Sequence, residues 1–161
     1  MLGLLNVRYI AAEFDLPVDG LQLETQFDAT RLYRNLLVMP RTWVELIEPA
    51  AASIQTPDVL HWSPDRIEIQ AQGPGLLVLS EIAYPGWKVW VDGVAQPIET
   101  YAGLLRAARL SSGAHQVVFA FRPASLNWGL AGFAFAALCL VIAAWLGRGA
   151  SGPQSVQEQV R

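Results

Sequence analysis

Hydrophobic and polar side chains alternate with a period of two along much of the first 122 residues. Residues 66–72 show this most clearly, because every second side chain there is apolar and the others are charged or carry an amide. Residues 21–27 follow the same pattern, and each such segment predicts a β-strand with one buried and one solvated face. Residues 76–80 are apolar on both faces, which is typical of a central strand.

Short segments rich in Gly, Pro, Asp and Ser separate these strands. Residues 73–75 (Gly-Pro-Gly) predict a turn, and residues 92–93 (Asp-Gly) predict a tight hairpin because Gly tolerates a positive φ. Residues 111–113 (Ser-Ser-Gly) predict the turn of a last hairpin, whose strands are residues 104–110 and 115–122. About ten strands at intervals of roughly 8 to 12 residues, with no amphipathic helix before residue 125, predict an antiparallel β-sandwich.

A different pattern begins after Arg122. From there to Arg148 the sequence contains no Asp, Glu, Lys, Arg or His. Residues 128–146 would form a helix about 28 Å long, against a hydrocarbon layer of about 30 Å, and they lack the polar face of a globular helix. Trp128 and Trp145 fall at the two expected headgroup levels, as membrane-interface residues do. We therefore predict a transmembrane helix, with the lipid bilayer as its surroundings.

Together these patterns predict an all-β fold, an antiparallel β-sandwich followed by one C-terminal transmembrane α-helix. We assign residues 1–123 to the sandwich domain and residues 124–147 to the membrane helix. Residues 148–161 form a tail rich in Gly, Ser and Gln, a composition that predicts disorder.

Composition narrows the class of function. A net charge of −3 and a pI near 5.3 provide no electrostatic footprint for nucleic acid, so we expect no nucleic-acid partner. The single cysteine, Cys139, lies inside the predicted span, so the chain cannot form an internal disulfide. The first residues lack the long apolar core of a cleavable signal peptide, and an extracytoplasmic domain would then require an upstream segment for its export.

Candidate metal ligands, nucleophiles and catalytic carboxylates do not form a recognisable motif in the sequence. The two histidines, His61 and His115, fall on different predicted strands without metal-ligand spacing, and the nucleophile-elbow and phosphate-loop motifs are absent. Carboxylates for glycoside hydrolysis are either paired across strands or, as we favour, solvated at strand edges and turns. The candidates are Glu68, Glu81, Asp92 and Glu99. We therefore predict no catalytic residue, no metal site and no cofactor.

Aromatic side chains gather around two consecutive turns. The period of two directs Trp87 into the core and Trp90 to the outside, while Tyr84 either fills the core or joins the exposed group. Exposed aromatic rings suit a sugar ring, a membrane or a protein surface. The candidate contact residues for carbohydrate or a partner are Trp90, Tyr84, Tyr101 and Lys88. Arg106 and Arg109 are expected either to contact phosphate or, as we favour, to form surface salt bridges.

Four short motifs follow one another toward the span. They are YPGW at residues 84–87, VDG at 91–93, LRA at 105–107 and GxHxVxF at 113–119, ending in Pro123. In this order they resemble the C-terminal extracytoplasmic domain of the bacterial YfhO-like membrane proteins. Residues 4–9 and 33–41 are similar to earlier blocks of that family, so the resemblance extends over nearly the whole chain to Leu146.

The resemblance implies a place in a glycosyltransferase-like family of polytopic membrane proteins that use lipid-linked sugar donors. The family's catalytic acid is expected in a loop between N-terminal membrane helices, and this sequence has no such helices before residue 124, so no catalytic role transfers to any residue. We expect a non-catalytic accessory domain on the extracytoplasmic side of a bacterial cell membrane. Its expected partners are a polytopic membrane protein or a preceding N-terminal part, with residues 1–5 ending an earlier membrane helix, and a cell-envelope glycan acceptor. Two alternatives stay open, a domain that only packs on a membrane bundle and a tail-anchored protein with a cytosolic sandwich.

Overall fold

A computed structural model describes residues 1–46 and 54–149 of the chain. It divides into two compact units, Met1–Arg122 and Pro123–Arg161. The described part of the first unit is built from antiparallel strands, and the second contains the single helix among the described residues, α1 at Ala124–Gly149. The predicted all-β fold with one C-terminal helix is therefore confirmed. Most of the predicted disordered tail, from residue 150 onward, lies outside the described residues.

Eleven strands occur in the described part of the first unit. They are β1 Tyr9–Ala12, β2 Leu21–Phe27, β3 Thr30–Asn35, β4 Thr42–Leu46, β5 Ile54–Gln55, β6 Asp58–Trp62, β7 Arg66–Ile82, β8 Trp87–Val91, β9 Val94–Gln96, β10 Glu99–Tyr101 and β11 Leu105–Phe121. The strands β1, β3 and β2 form a small sheet in that order, and the other eight form one large sheet.

Two long strands, β7 and β11, pair with each other along almost their whole length. The turns predicted at residues 73–75 and 111–113 are wrong, because both strands continue through them. The two irregular segments lie opposite each other, with Leu110 paired to Gly75 and Gly113 paired to Gly73. The strands therefore bend together at this corner and pass from one layer of the sandwich to the other, as corner strands with bulges do.

The bend divides the large sheet into two layers. The first layer contains β5, β4, residues 75–82 of β7, residues 105–110 of β11, and β10. The second layer contains β6, the remaining halves of β7 and β11, β8 and β9. Side chains from both layers meet in one buried core, which includes Val44, Ile67, Ile69, Leu77, Leu79, Val89, Val91, Leu110, Val117 and Phe119.

The period-two prediction for β8 is confirmed, since Val89 and Val91 are buried and Lys88 is exposed. The tight hairpin is confirmed as well: β8 and β9 are joined by Asp92 and Gly93, both with positive φ (51° and 81°). Positive φ at both central residues is what a type I′ turn requires.

The outer face of the first layer carries a second buried cluster around Trp43, Val78, Leu105 and Ala107. The N-terminal segment covers part of it, since Leu4 and Leu5 pack against the cluster and the Ser80 hydroxyl donates to the Leu4 carbonyl at 2.7 Å. The helix end predicted for residues 1–5 is not found in the described structure, where residues 2–6 form turns.

Candidate functional site

Two of the predicted contact residues, Trp90 and Lys88, lie together on the outer face of the second layer. Trp90 pairs with Val118 and Lys88 with Ala120 across the β8–β11 ladder. The Trp90 side chain is partly buried, and the Arg122 guanidinium carbon lies 5.3 Å from the centroid of its ring. An arginine already occupies one approach to this ring through a cation–π contact.

Tyr84 and Trp87 flank the turn before β8 and differ in burial. Trp87 packs against the main core as expected, whereas Tyr84 is 65% exposed, so its placement in the core is wrong. The Tyr84 ring contacts the Phe121 ring in a tilted arrangement, with 6.5 Å between the two centroids. Tyr84 is therefore the predicted contact residue whose ring is most open to solvent.

Tyr101 lies on the outer face of the first layer, away from Trp90 and Lys88. Its ring meets Trp43 edge to face at a centroid distance of 5.7 Å, as part of the second cluster. Burial raises the pKa of the Tyr101 hydroxyl, and the neighbouring Glu45 carboxylate raises it further. The structure thus places Trp90 and Lys88 on one outer face and Tyr101 on another, with Tyr84 at the turn before β8, and their carbohydrate role stays a prediction.

The largest departure from the sequence prediction is Arg106, which is 1% exposed rather than at the surface. Its guanidinium carbon lies 3.7 Å from the centroid of the Trp87 ring and 6.0 Å from that of Phe119. It donates to the Glu81 carboxylate through one terminal nitrogen, while Nε and Nη1 have no hydrogen-bond acceptor among the described residues. Burial lowers the pKa of Arg106, and the Glu81 charge opposes that effect.

Glu81 also accepts a hydrogen bond from Arg41 at 3.1 Å, so one carboxylate joins two arginines. The Arg41 guanidinium in turn lies 3.8 Å from the centroid of the Trp62 ring. The Trp87 and Phe119 rings and the Glu81 carboxylate together compensate the positive charge of Arg106 inside the sandwich. We interpret this arrangement, the Arg106–Glu81–Arg41 cluster, as structural. Arg109, by contrast, forms the expected surface salt bridge, a bidentate pair with Glu99 at 2.9 Å.

A second constellation that the sequence did not predict joins Ser111, His115 and Asp92. His115 Nδ1 lies 2.6 Å from Asp92 Oδ2, and Nε2 lies 3.1 Å from both the hydroxyl and the carbonyl oxygen of Ser111. The order resembles a nucleophile, base and acid. However, the Ser111 carbonyl favours a proton on Nε2, and the hydrogen bond with Asp92 raises the pKa of His115. A proton on Nε2 that points to the Ser111 carbonyl leaves that nitrogen without a lone pair for the serine proton, so we interpret this group as a tie between the β8–β9 hairpin and the bend of β11.

The pair of His115 and Asp92 makes stability depend on pH in a defined window. Hydrogen bonding raises the pKa of His115 above 6.5, so its contribution is complete below that pH and is lost as pH rises through the folded value. The hydrogen bond from His115 lowers the pKa of Asp92 below 3.8, so its contribution is complete above that pH and is lost as pH falls through the folded value. We expect the melting temperature of His115→Gln to fall furthest below that of the parent at about pH 5.

The measurement is thermal unfolding of both chains across pH in detergent. Asp92→Asn is the matched variant, because it removes the same pair from the other side and should give the same profile. A difference between parent and His115→Gln that does not vary with pH would contradict the assigned pair.

An apolar groove lies between the small sheet and the segments on either side of it. Its volume is about 850 Å³, and its lining includes Phe14, Leu16, Val18, Leu36, Leu37 and Val38. Phe14 and Leu37 are each 65% exposed, which is unusual for two large apolar side chains at one site. We call this surface the N-terminal groove. The sequence contained a weak signal for it, three apolar residues within the Pro- and Asp-containing loop between β1 and β2.

A smaller polar pocket of about 360 Å³ borders the N-terminal groove and shares Asn35, Leu36 and Val38 with it. Arg8, Tyr9 and Arg34 provide its polar wall. Tyr9 and Arg34 are directly paired across β1 and β3, so their side chains are neighbours on one face.

The helix of the second unit presents a largely apolar surface. Residues Ala124–Trp145 form 22 residues of helix with a mean hydropathy of 2.0, and the most apolar part of this segment is not buried against the rest of the described protein. Trp128 and Trp145 are both exposed on it. The helix is long and apolar enough to cross a membrane.

Metal ligands are not grouped in the described residues, where no set of three His, Cys, Asp or Glu side chains could hold an ion. Comparison of the chain with protein-family models, with curated proteins and with solved structures found no match.

Proposed function

We propose that this chain is a membrane-anchored, non-catalytic accessory domain whose β-sandwich lies on the extracytoplasmic side of a bacterial membrane. One observation carries the proposal. The first unit, Met1–Arg122, which we call the β unit, has its own core and is followed directly by a 22-residue apolar helical segment whose most apolar part is unburied. A helix of this kind has no stable place in water, and a bilayer satisfies both its backbone and its side chains.

The described chemistry supports a structural role over a catalytic one. Arg106 and Glu81 compensate each other inside the sandwich, and His115 is held by Asp92 and Ser111. Packing on a membrane partner is favoured over positioning of a glycan, because Trp90 and Tyr101 lie on different faces.

The proposed partner is a polytopic membrane protein of the YfhO-like kind, from the resemblance of residues 84–123. Gly132 and Ala136, four residues apart on α1, support an association between helices. Small residues allow close backbone approach of a second helix in a membrane.

The proposal is tested by adding protease to spheroplasts of the cells that make the protein and following the β unit with an antibody. We expect digestion without detergent, because the β unit would face outward. The undigested chain should stay in the membrane fraction. Protection of the β unit until detergent is added would place it in the cytosol and overturn the assignment.

Ala134→Arg and Ala134→Leu provide a matched pair for the anchor, since Ala134 lies near the middle of the span. Arginine at a helix centre disfavours insertion by about 2.5 to 3.5 kcal/mol, whereas leucine favours it slightly. Ala134→Arg should reduce the membrane-bound fraction, and Ala134→Leu should leave it unchanged. Equal membrane association of the two variants would mean that α1 is not the anchor.

A further inference from the structure

We infer that the N-terminal groove and its neighbouring polar pocket form a second membrane contact that binds an anionic phospholipid. An acyl chain would lie against Phe14, Val18 and Leu37, and the phosphate would lie against Arg8 and Arg34. The inference rests on the proposed anchoring, because α1 is what keeps the β unit at a bilayer.

The groove has the size and chemistry of an apolar ligand site. Pockets of about 300 to 1,000 Å³ lined mainly by apolar side chains are typical of small-molecule sites, and this groove has about 850 Å³. Its exposed side chains, Phe14, Val18, Leu36 and Leu37, form one continuous lining rather than scattered surface positions. Water contact with such a surface is unfavourable, so the groove favours an apolar occupant.

Charge complementarity identifies the headgroup. Arg8 and Arg34 line one pocket, and within the described residues neither of them forms a salt bridge. Arg31 of the same sheet, by comparison, is paired with Asp15 at 3.2 Å. Two arginines without an acidic partner in the described part of the chain, next to an apolar groove, match a phosphate attached to acyl chains. Tyr9, which lies beside Arg34, is a residue type that prefers the boundary between headgroups and hydrocarbon.

The anchor explains why a bilayer lipid is the occupant. Phe121 ends β11 and α1 begins at Ala124, so only two residues connect the β unit to the helix. Such a short connection keeps the local concentration of lipid high at every surface of the β unit that can reach the membrane. A weak individual contact is then sufficient for docking.

The test uses the full chain with Cys139→Ala, so that a single new cysteine carries an environment-sensitive fluorophore. Leu37→Cys places the fluorophore in the groove, and Leu36→Cys is a second position in case the first disturbs folding. The labelled chain is reconstituted in vesicles of phosphatidylcholine, alone or with phosphatidylglycerol whose acyl chains are brominated to quench fluorescence. We expect the brominated phosphatidylglycerol to quench the label. The ratio of chains with a lipid-bound groove to chains with an empty groove should be about fivefold lower for each of Arg8→Gln and Arg34→Gln than for the parent.

Val94→Cys is the control label, because Val94 is exposed to the same extent as Leu37 and lies in the β8–β9 hairpin. It should remain unquenched. Equal quenching at Val94 and Leu37 would overturn the inference, as would a Leu37 label that stays unquenched. A Leu37 label shielded only at high protein density would identify a second copy of the chain as the occupant, which also overturns it. Flotation of each sample with its vesicles separates these outcomes from failure of the anchor, because a chain without its anchor would not float.

Discussion

Replacing Glu81 with alanine is expected to lower the free energy of unfolding by about 3 to 5 kcal/mol. The variant removes the only carboxylate that contacts Arg106 among the described residues, and Arg106 is 1% exposed. The guanidinium would then remain in the core with Trp87 and Phe119 but without a counter-charge. Urea titration of tryptophan fluorescence in detergent measures the loss, because Trp87 is in direct contact with Arg106.

Two further variants decide whether the buried charge is the cause. Glu99→Ala breaks the bidentate pair with Arg109, in which the arginine side chain is 60% exposed, and should cost less than about 1 kcal/mol. Arg106→Met in the Glu81→Ala background removes the uncompensated charge and fills the space with an apolar chain, so most of the stability should return. Similar losses for Glu81→Ala and Glu99→Ala, or no recovery in the double variant, would contradict the assigned role.

Replacing Gly73 with alanine is expected to cost about 3 kcal/mol or to prevent folding. A Cβ at this position would overlap the carbonyl oxygen of Ser111 and approach the Leu110 Cβ to 2.9 Å. The obstruction is backbone of the paired strand, so no flexible side chain can move aside. The two long strands would have to separate at their bend, where both layers of the sandwich depend on them.

Gly93→Ala is the matched control, since Gly93 has a positive φ of 81° but open space around its Cβ position. Only the conformational strain of an L-residue applies there, roughly 1 to 2 kcal/mol. Thermal unfolding of both variants in detergent compares the two effects. A smaller loss at Gly73 than at Gly93 would mean that the close approach of β7 and β11 is not required for the fold.

Elements set by local chemistry were predictable from the sequence. The β2 strand has the same bounds in the prediction and in the structure, and the Asp92–Gly93 turn forms because its residues favour positive φ. The apolar helix was predictable for the same reason, since its length and composition alone decide its capacity to cross a membrane.

Elements set by distant partners were not predictable. Gly, Pro and Ser at residues 73–75 and 111–113 have the chemistry of turns, yet they bend two strands because each irregular segment pairs with the other. Arg106 lies in a run of residues that is apolar on both sides, so alternation could not assign its face, and Glu81 is 25 residues away in sequence. The N-terminal groove likewise combines side chains from a loop near residue 14 with others near residue 37.

The way in which β11 connects to α1 has a mechanical consequence. Any pull on the membrane helix enters the β unit through Arg122 and Pro123, the two residues that follow β11. β11 is hydrogen-bonded to β7 on one side and to β8 and β10 on the other. The strand that first takes the load is therefore held by hydrogen bonds on both of its edges. Movement of the membrane anchor would reach the β unit through its most extensively paired strand.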